Sequence, residues 1–319
     1  MSMKRVLKKN DQPVMQKILF LVLCLVCLTS YITPPIALLL GIILAQTTGN
    51  PFEKITAKAV SWLLKLAVIG LGFGMSVSSA LQAGKDGFIL TVSSIVVTLT
   101  LGILLGKLFK IDKKIAQLVS SGTAICGGSA IAAIAPVIKA NSKQISISIG
   151  IVFLLNALAL FIFPAIGHYF ELSQHQFGVW SAIAIHDTSS VVGAANEYGS
   201  EALQTATTVK LARALWILPV SVLFAVYKSG SVKKVKVPYF IGLFILAIIV
   251  NTYIPGVQYA SPYIVSLAKI ALTVTLFLIG TNLTYSSLKK VGIKPLALAV
   301  LIWVFISIAS LVVIMKTVL

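Results

Sequence analysis

Apolar runs of about twenty residues recur from Lys17 to Lys316, separated by short polar or basic connections. Each is long enough to cross the roughly 30 Å hydrocarbon core of a bilayer as a helix. The pattern predicts helical spans near 17–31, 34–47, 57–78, 86–108, 143–167, 204–227, 236–254, 261–282 and 292–316. Two further stretches, 113–138 and 175–195, are apolar but carry dense Gly, Ser and Thr where a plain span would carry Leu and Val. Counting them gives about eleven hydrophobic segments, an all-α polytopic fold in which a basic segment, 1–16, precedes one transmembrane unit, 17–319.

Composition agrees with that pattern. Hydrophobic residues make up 58% of the chain and charged residues 11%, whereas soluble domains carry about 25% charged residues. A soluble chain of this length buries only about three-quarters of its surface and would strand several such runs in water. The formal charge of +18 lies in short connections: Lys4, Arg5, Lys8, Lys9 and Lys17; Lys107, Lys110, Lys113 and Lys114; Lys228, Lys233, Lys234 and Lys236; Lys289, Lys290 and Lys294. Short loops rich in Lys and Arg stay in the cytoplasm. No aromatic-interleaved basic surface accompanies them, so the partners expected are lipids and not nucleic acid. The basic start followed by "ILFLVLCLVCL" resembles a signal peptide, but the many spans downstream favour an uncleaved first span. Cys24 and Cys27 form a CxxC within an apolar run and lack a further ligand pair, so neither metal, redox work nor a disulfide framework is expected.

With the amino end inside, straight crossings put the connections at 107–114, 228–236 and 282–292 inside and the carboxyl end outside. They leave Lys139 and Lys143 outside and the unpositive loop 168–176 inside. If 113–138 and 175–195 instead dip in and return, both misfits vanish. Either topology is open, with the same placement of the two termini. The chain also echoes itself: "GGSAIAAIAP" (127–136) with "TSSVVGAANE" (188–197), and "NALALFIFP" (156–164) with "LARALWILP" (211–219). Further echoes link 34–45 with 237–248, and 69–84 with 279–292. Together they favour an internal duplication of inverted orientation, the plan of many secondary transporters. The first pair is inverted only if both dips are re-entrant.

Candidate chemistry follows from the solvent. Non-helical backbone at membrane depth survives only inside protein or along a wet cavity. "SSGTAICGGSAIAAIAP" (120–136) suits a broken helix or hairpin whose free N–H groups, with the hydroxyls of Ser121, Thr123 and Ser129 beside Gly127 and Gly128, could hold an anion. The alternative is a small-residue packing face. The second element, "IAIHDTSSVVGAA" (183–195), offers Thr188, Ser189 and Ser190. Asp187 is the acid lying well within an apolar segment, where a bare charge costs at least about 2.5–3.5 kcal/mol. With His186 beside it, three roles are open: a proton-coupling cavity group, a cap for a half-helix beginning at Thr188, or a structural ion-pair member. Lys210 and Arg213 lie three apart on one helical face. One of them could pair with Asp187, and the surplus positive charge could meet a substrate anion, for which the arginine fork is suited; snorkelling is the alternative. Asn156 either binds a broken backbone or bridges helices. Gly70, Gly72 and Gly74 read as a packing stripe, Lys65 and Lys269 as snorkelling, and His168 and His175 near Glu171 as a weak metal or proton sensor.

The segments "SSGTAICGGSAIAAIAPVI" (120–138), "IHDTSSVVGAA" (185–195) and "ATTVKLARALWILPV" (206–220) resemble the motifs of the YeiH family, the UPF0324 or conserved hypothetical 698 membrane proteins. The likeness runs from about residue 17 to the carboxyl end. That family is linked to sulfate export chiefly by genomic association and is grouped distantly with cation:proton antiporters and bile-acid symporters, whose cores have inverted repeats and crossed, interrupted helices. The resemblance implies a bacterial inner-membrane transporter. It places Gly122, Thr123, Cys126, Gly127, Gly128 and Ser129 in one interrupted element, His186, Asp187, Thr188 and Ser189 in another, and Lys210 and Arg213 alongside.

The leading expectation is a secondary transporter of a small anion, sulfate or a sulfonate, with a proton or sodium ion as coupling ion and homo-oligomerisation open. The alternatives are a sodium/proton-type antiporter using Asp187, and an anion channel or a scaffold. An enzyme is not expected: "HDTSS" sets base beside acid without a nucleophile elbow, and there is no HExxH zinc motif or nucleotide-binding loop. No cofactor is implied.

Overall fold

A computed structural model describes residues 3–29, 31–229, 239–283 and 292–318, and the regular structure among them is helical. In chain order the helices are α1 (Met3–Val26), α2 (Pro34–Thr47), α3 (Glu53–Gly72), α4 (Val77–Leu108), α5 (Lys113–Ala124), α6 (Gly128–Val137), α7 (Ser142–Tyr169), α8 (Gln174–Ala184), α9 (Thr188–Tyr198), α10 (Ser200–Ala214), α11 (Ile217–Ser229), α12 (Tyr239–Tyr253), α13 (Val257–Thr281) and α14 (Ile293–Thr317). Lys233, Lys234, Lys236, Lys289 and Lys290, the start of the 236–254 span and most of the 279–292 echo lie outside the described residues. Among the described residues, five segments are long and apolar enough to cross a membrane: Gly87–Leu108, Lys143–Tyr169, Ser200–Phe224, Val257–Thr281 and Ile293–Thr317.

Several expected spans have different limits: the first, expected over 17–31, lies in a helix that ends at Val26. The segment 57–78 stops at Gly72, and the next helix begins at Val77 instead of 86. Lys58–Gly72 and Val77–Lys85 meet at 110° and make a sixth candidate span only if taken together. Side chains pin this bend. Ser76 caps α4 by accepting the Ser79 N–H at 3.2 Å, Asn251 donates to the Met75 carbonyl at 3.0 Å, and Gln204 donates to that of Gly74 at 2.9 Å. The expected 204–227 span corresponds to Ser200–Phe224, which continues through a turn at Leu215–Trp216 between α10 and α11.

The two Gly/Ser-rich stretches are hairpins. A straight helix over 113–137 would separate its ends by roughly 37 Å. Instead Lys114 Nζ, at the start of α5, donates to the Lys139 carbonyl just beyond α6 at 2.7 Å. Gln144 Nε2 also donates to both carboxylate oxygens of Asp112 at 3.1 Å. The second stretch closes in the same way. Gln174 Oε1, at the start of α8, accepts the Glu201 N–H at 3.0 Å, and Tyr198 OH donates to the Leu172 carbonyl at 2.6 Å. Each stretch therefore returns to the end from which it starts, and Lys139 lies beside Lys114.

The hairpin bases sit at opposite ends of α7, a 28-residue helix, and their tips meet near its middle. Asn156 touches the second tip, and Val152 lies about where a side chain on Gly127 would go, 3.1 Å from an ideal Cβ. Hairpin α5–α6 followed by α7, and hairpin α8–α9 followed by α10, are therefore two units built alike and entered from opposite ends. An aromatic column holds α8 against α7 and α14. Phe163 stacks on Trp180 at 4.4 Å and on Trp303 at 5.9 Å, and the Trp180 indole N–H donates to the Ser307 carbonyl at 2.9 Å. Beside this core, α13 packs along α2 and α3. Gly41 and Gly280 let α2 and α13 touch backbone to backbone: a Cβ on Gly41 would strike the Phe277 carbonyl, and one on Gly280 that of Leu38. The expected packing stripe is present as well. Gly70 faces Ala268, Gly72 faces the Phe244 carbonyl and Gly74 faces Val265.

Candidate functional site

Helix ends deep in a membrane leave N–H and carbonyl groups that water cannot satisfy. Four such ends meet at the hairpin tips, and the sequence deals with each differently. At the first tip α5 stops at Ala124, and Gly127 adopts φ +63, ψ −122, a region that suits glycine. Its N–H returns to the Gly122 carbonyl at 2.8 Å. α6 then begins at Gly128 without a side-chain cap. At the second tip α8 stops at Ala184, and Asp187 caps α9, accepting the Ser189 N–H at 3.0 Å and the Ser189 hydroxyl. Asn156 Oδ1 accepts the N–H groups of His186, at 3.0 Å, and Asp187, at 3.2 Å. Asn156 thus binds broken backbone, one of the two roles its sequence position left open.

The arriving arms end on carbonyls, and α10 supplies a cation to each. Lys210 Nζ donates to Ile185 O at 2.7 Å and to Ala182 O at 3.3 Å. Arg213 Nε donates to Ala124 O at 2.8 Å, and one terminal nitrogen donates to Ser94 Oγ at 2.8 Å. Both side chains are 0% exposed, so neither snorkels. A positive group at a helix C-terminus offsets its partial negative charge. The Asp187 hydrogen bonds stay within α9. Trp303 completes the end of α8 by donating to Ala184 O at 3.1 Å.

Several polar groups at the tips are buried without a protein partner: the second terminal nitrogen of Arg213, Asn156 Nδ2, Thr123 Oγ1 and both ring nitrogens of His186. The His186 ring, 0% exposed, stands edge-on to Trp303 at 6.4 Å. Gly128, Asp187 and Thr188 are half-buried and Ser129 is exposed, so the start of each returning arm is open on one side. Gly127, Gly128, Ser129 and Thr123 thus share one tip, His186, Asp187, Thr188 and Ser189 the other, and Asn156, Lys210 and Arg213 bridge the two. Ser121 lies down the first arm with its hydroxyl on the Gln117 carbonyl at 2.7 Å, and Ser190 is buried within α9.

Two contributors escaped sequence reasoning, Ser94 and Trp303. Ser94 is one hydroxyl in an otherwise ordinary span, and no local signal marks it. A tryptophan in mid-span, where an indole N–H needs an acceptor, is a usable signal for Trp303. The loop histidines have other partners. His168 stacks on Tyr198 at 4.4 Å and His175 Nδ1 lies 3.3 Å from Thr205 Oγ1. Among the described residues no three His, Cys, Asp or Glu side chains gather as a metal set would require. Lys65 lies over Trp62 at 5.2 Å. At the base of the second hairpin, a polar cavity of about 330 Å³ is lined by Ser79, Gln82, His175, Glu201, Gln204 and Thr205, with Met75 at its wall. Met75 receives the Thr208 hydroxyl at 3.5 Å, two residues before Lys210 on α10.

The family model described as conserved hypothetical protein 698 matches residues 18–299. A UPF0324 membrane protein of Bacteroides thetaiotaomicron is 51% identical over 285 residues, covering 89% of this chain and 86% of that protein. UPF0324 membrane proteins of Photobacterium profundum and Vibrio parahaemolyticus are each 50% identical. They cover 92% and 90% of this chain, and 90% and 94% of their own lengths. No solved structure matches.

Proposed function

We propose that this chain, which belongs to the conserved hypothetical protein 698 family of multi-pass membrane proteins, is a secondary transporter that moves a small anion, sulfate or an organosulfonate, through the meeting point of its hairpin tips. One observation carries this reading. The tips hold two buried cations, Lys210 and Arg213, against one carboxylate, Asp187. The partial charges of two helix starts and two helix ends cancel, so one positive charge is left over. The unpartnered groups Arg213 Nη2 and Asn156 Nδ2 are donors, and the N-terminus of α6 adds N–H groups without a side-chain cap. Donors in excess of acceptors in a buried place favour an anion. The antiporter reading has less support, because the Asp187 carboxylate is engaged as a cap and the half-helix carbonyls are held by Lys210 and Arg213.

His186, buried with both ring nitrogens unpartnered, offers a substrate one imidazole donor and one acceptor. The basic base of the first hairpin belongs on the cytoplasmic side by the positive-inside rule, so the polar cavity at the base of the second hairpin is the outer vestibule. The test is uptake of labelled sulfate, taurine and other small anions into proteoliposomes, with and without a proton gradient. Arg213→Ala is expected to reduce uptake at least about tenfold, the worth of one charge-assisted hydrogen bond. Uptake of every anion unchanged by that substitution would remove Arg213 from the mechanism. Currents far above transporter turnover in a voltage-clamped bilayer would instead identify a channel.

A further inference from the structure

The end of α8 has the ligands of a cation site. Ile185 O and Ala182 O, carbonyls with no onward helix to receive them, converge on one point. Membrane transporters coordinate sodium with such half-helix carbonyls, since a hard monovalent cation exchanges hydration water for oxygen ligands. Here the point is filled by the Lys210 ammonium, at 2.7 and 3.3 Å from the two carbonyls and wholly buried. An ammonium carries the same unit charge as sodium and three donors, but it is tethered to α10 and cannot leave. Arg213 differs. Its planar fork is divided between one carbonyl and the Ser94 hydroxyl, a shape no spherical ion reproduces.

We propose that Lys210 fills a latent sodium-sized cation site at the tip of the second hairpin, so that its built-in charge replaces a bound coupling ion. The consequence for coupling rests on the transport reading above; the site itself does not. The test is thermal unfolding of the purified full chain in detergent, in sodium, lithium, methylammonium and choline chloride at equal ionic strength. The parent is expected to unfold within about 1 °C of the same temperature in all four, and Lys210→Ala about 5 °C lower in choline. Sodium, lithium or methylammonium should then restore about 3 °C or more of that loss, because a ligand that binds only the folded state raises its stability.

A Lys210→Ala midpoint indifferent to the cation overturns the inference. So does a parent that sodium stabilises over choline as strongly as it does the variant. If the alanine variant does not accumulate, Lys210→Ser leaves the same carbonyl-lined space with one added hydroxyl, and a cation-independent midpoint there counts equally against the site. Because chloride is the common anion in all four salts, the measurement reads the cation alone, and cation rescue without anion uptake in the parent would end the transport reading and keep this one. Uptake without rescue would do the reverse.

Discussion

The two hairpin tips face the same difficulty, backbone ends in the middle of a buried region, and resolve it with different chemistry. The first relies on backbone freedom: Gly127 makes the turn and α6 starts without a side-chain cap. The second relies on side chains: Asp187 caps α9 and Asn156 holds the N–H groups of the turn. Two similar sequence echoes thus give one tip with donors on offer and one whose donors are largely answered. On the transport reading proposed above, that asymmetry makes the first tip the place for an anion.

Substitutions can break that contrast, and their effects should be ordered. Gly127→Val forces a β-branched side chain into positive φ with Val152 in the way. It should destabilise the chain by about 3 kcal/mol, seen as a lower midpoint in detergent unfolding. Asn156→Ala strips the acceptor from two backbone N–H groups at the second tip only, an expected loss of about 2 kcal/mol by the same measurement. Asp187→Ala removes a helix cap and should cost about 1 kcal/mol. Asp187→Asn keeps the cap while losing the charge, so stability should shift by less than about 0.5 kcal/mol. If Asp187→Asn unfolds as readily as Asp187→Ala, the cap needs charge, and the contrast between the tips is electrostatic instead of geometric.

Much of this arrangement was legible in the chain. The Gly/Ser/Thr density of 113–138 and 175–195 marked both interruptions, and the misplaced lysines Lys139 and Lys143 pointed to segments that return. The echo between 127–136 and 188–197 falls on the two tips and their returning arms. The expected crossed helices take the form of hairpins meeting end to end, a difference carried by contacts such as Lys114 with the Lys139 carbonyl, which no periodicity encodes. The partners of Lys210 and Arg213 were also illegible. Backbone carbonyls have no letter in a sequence, so the charge pattern points to Asp187 as the countercharge instead. Ser94 was hidden for a related reason: one hydroxyl in a span looks like any other until a guanidinium is placed against it.

Lys210 and Arg213 sit less than one turn apart on α10, yet they close opposite hairpins. A single rod therefore latches both. Any slide or roll of α10 large enough to free one tip must strain the other, so the two hairpins are mechanically coupled through one helix. Independent movement of either hairpin would leave a buried charge stranded.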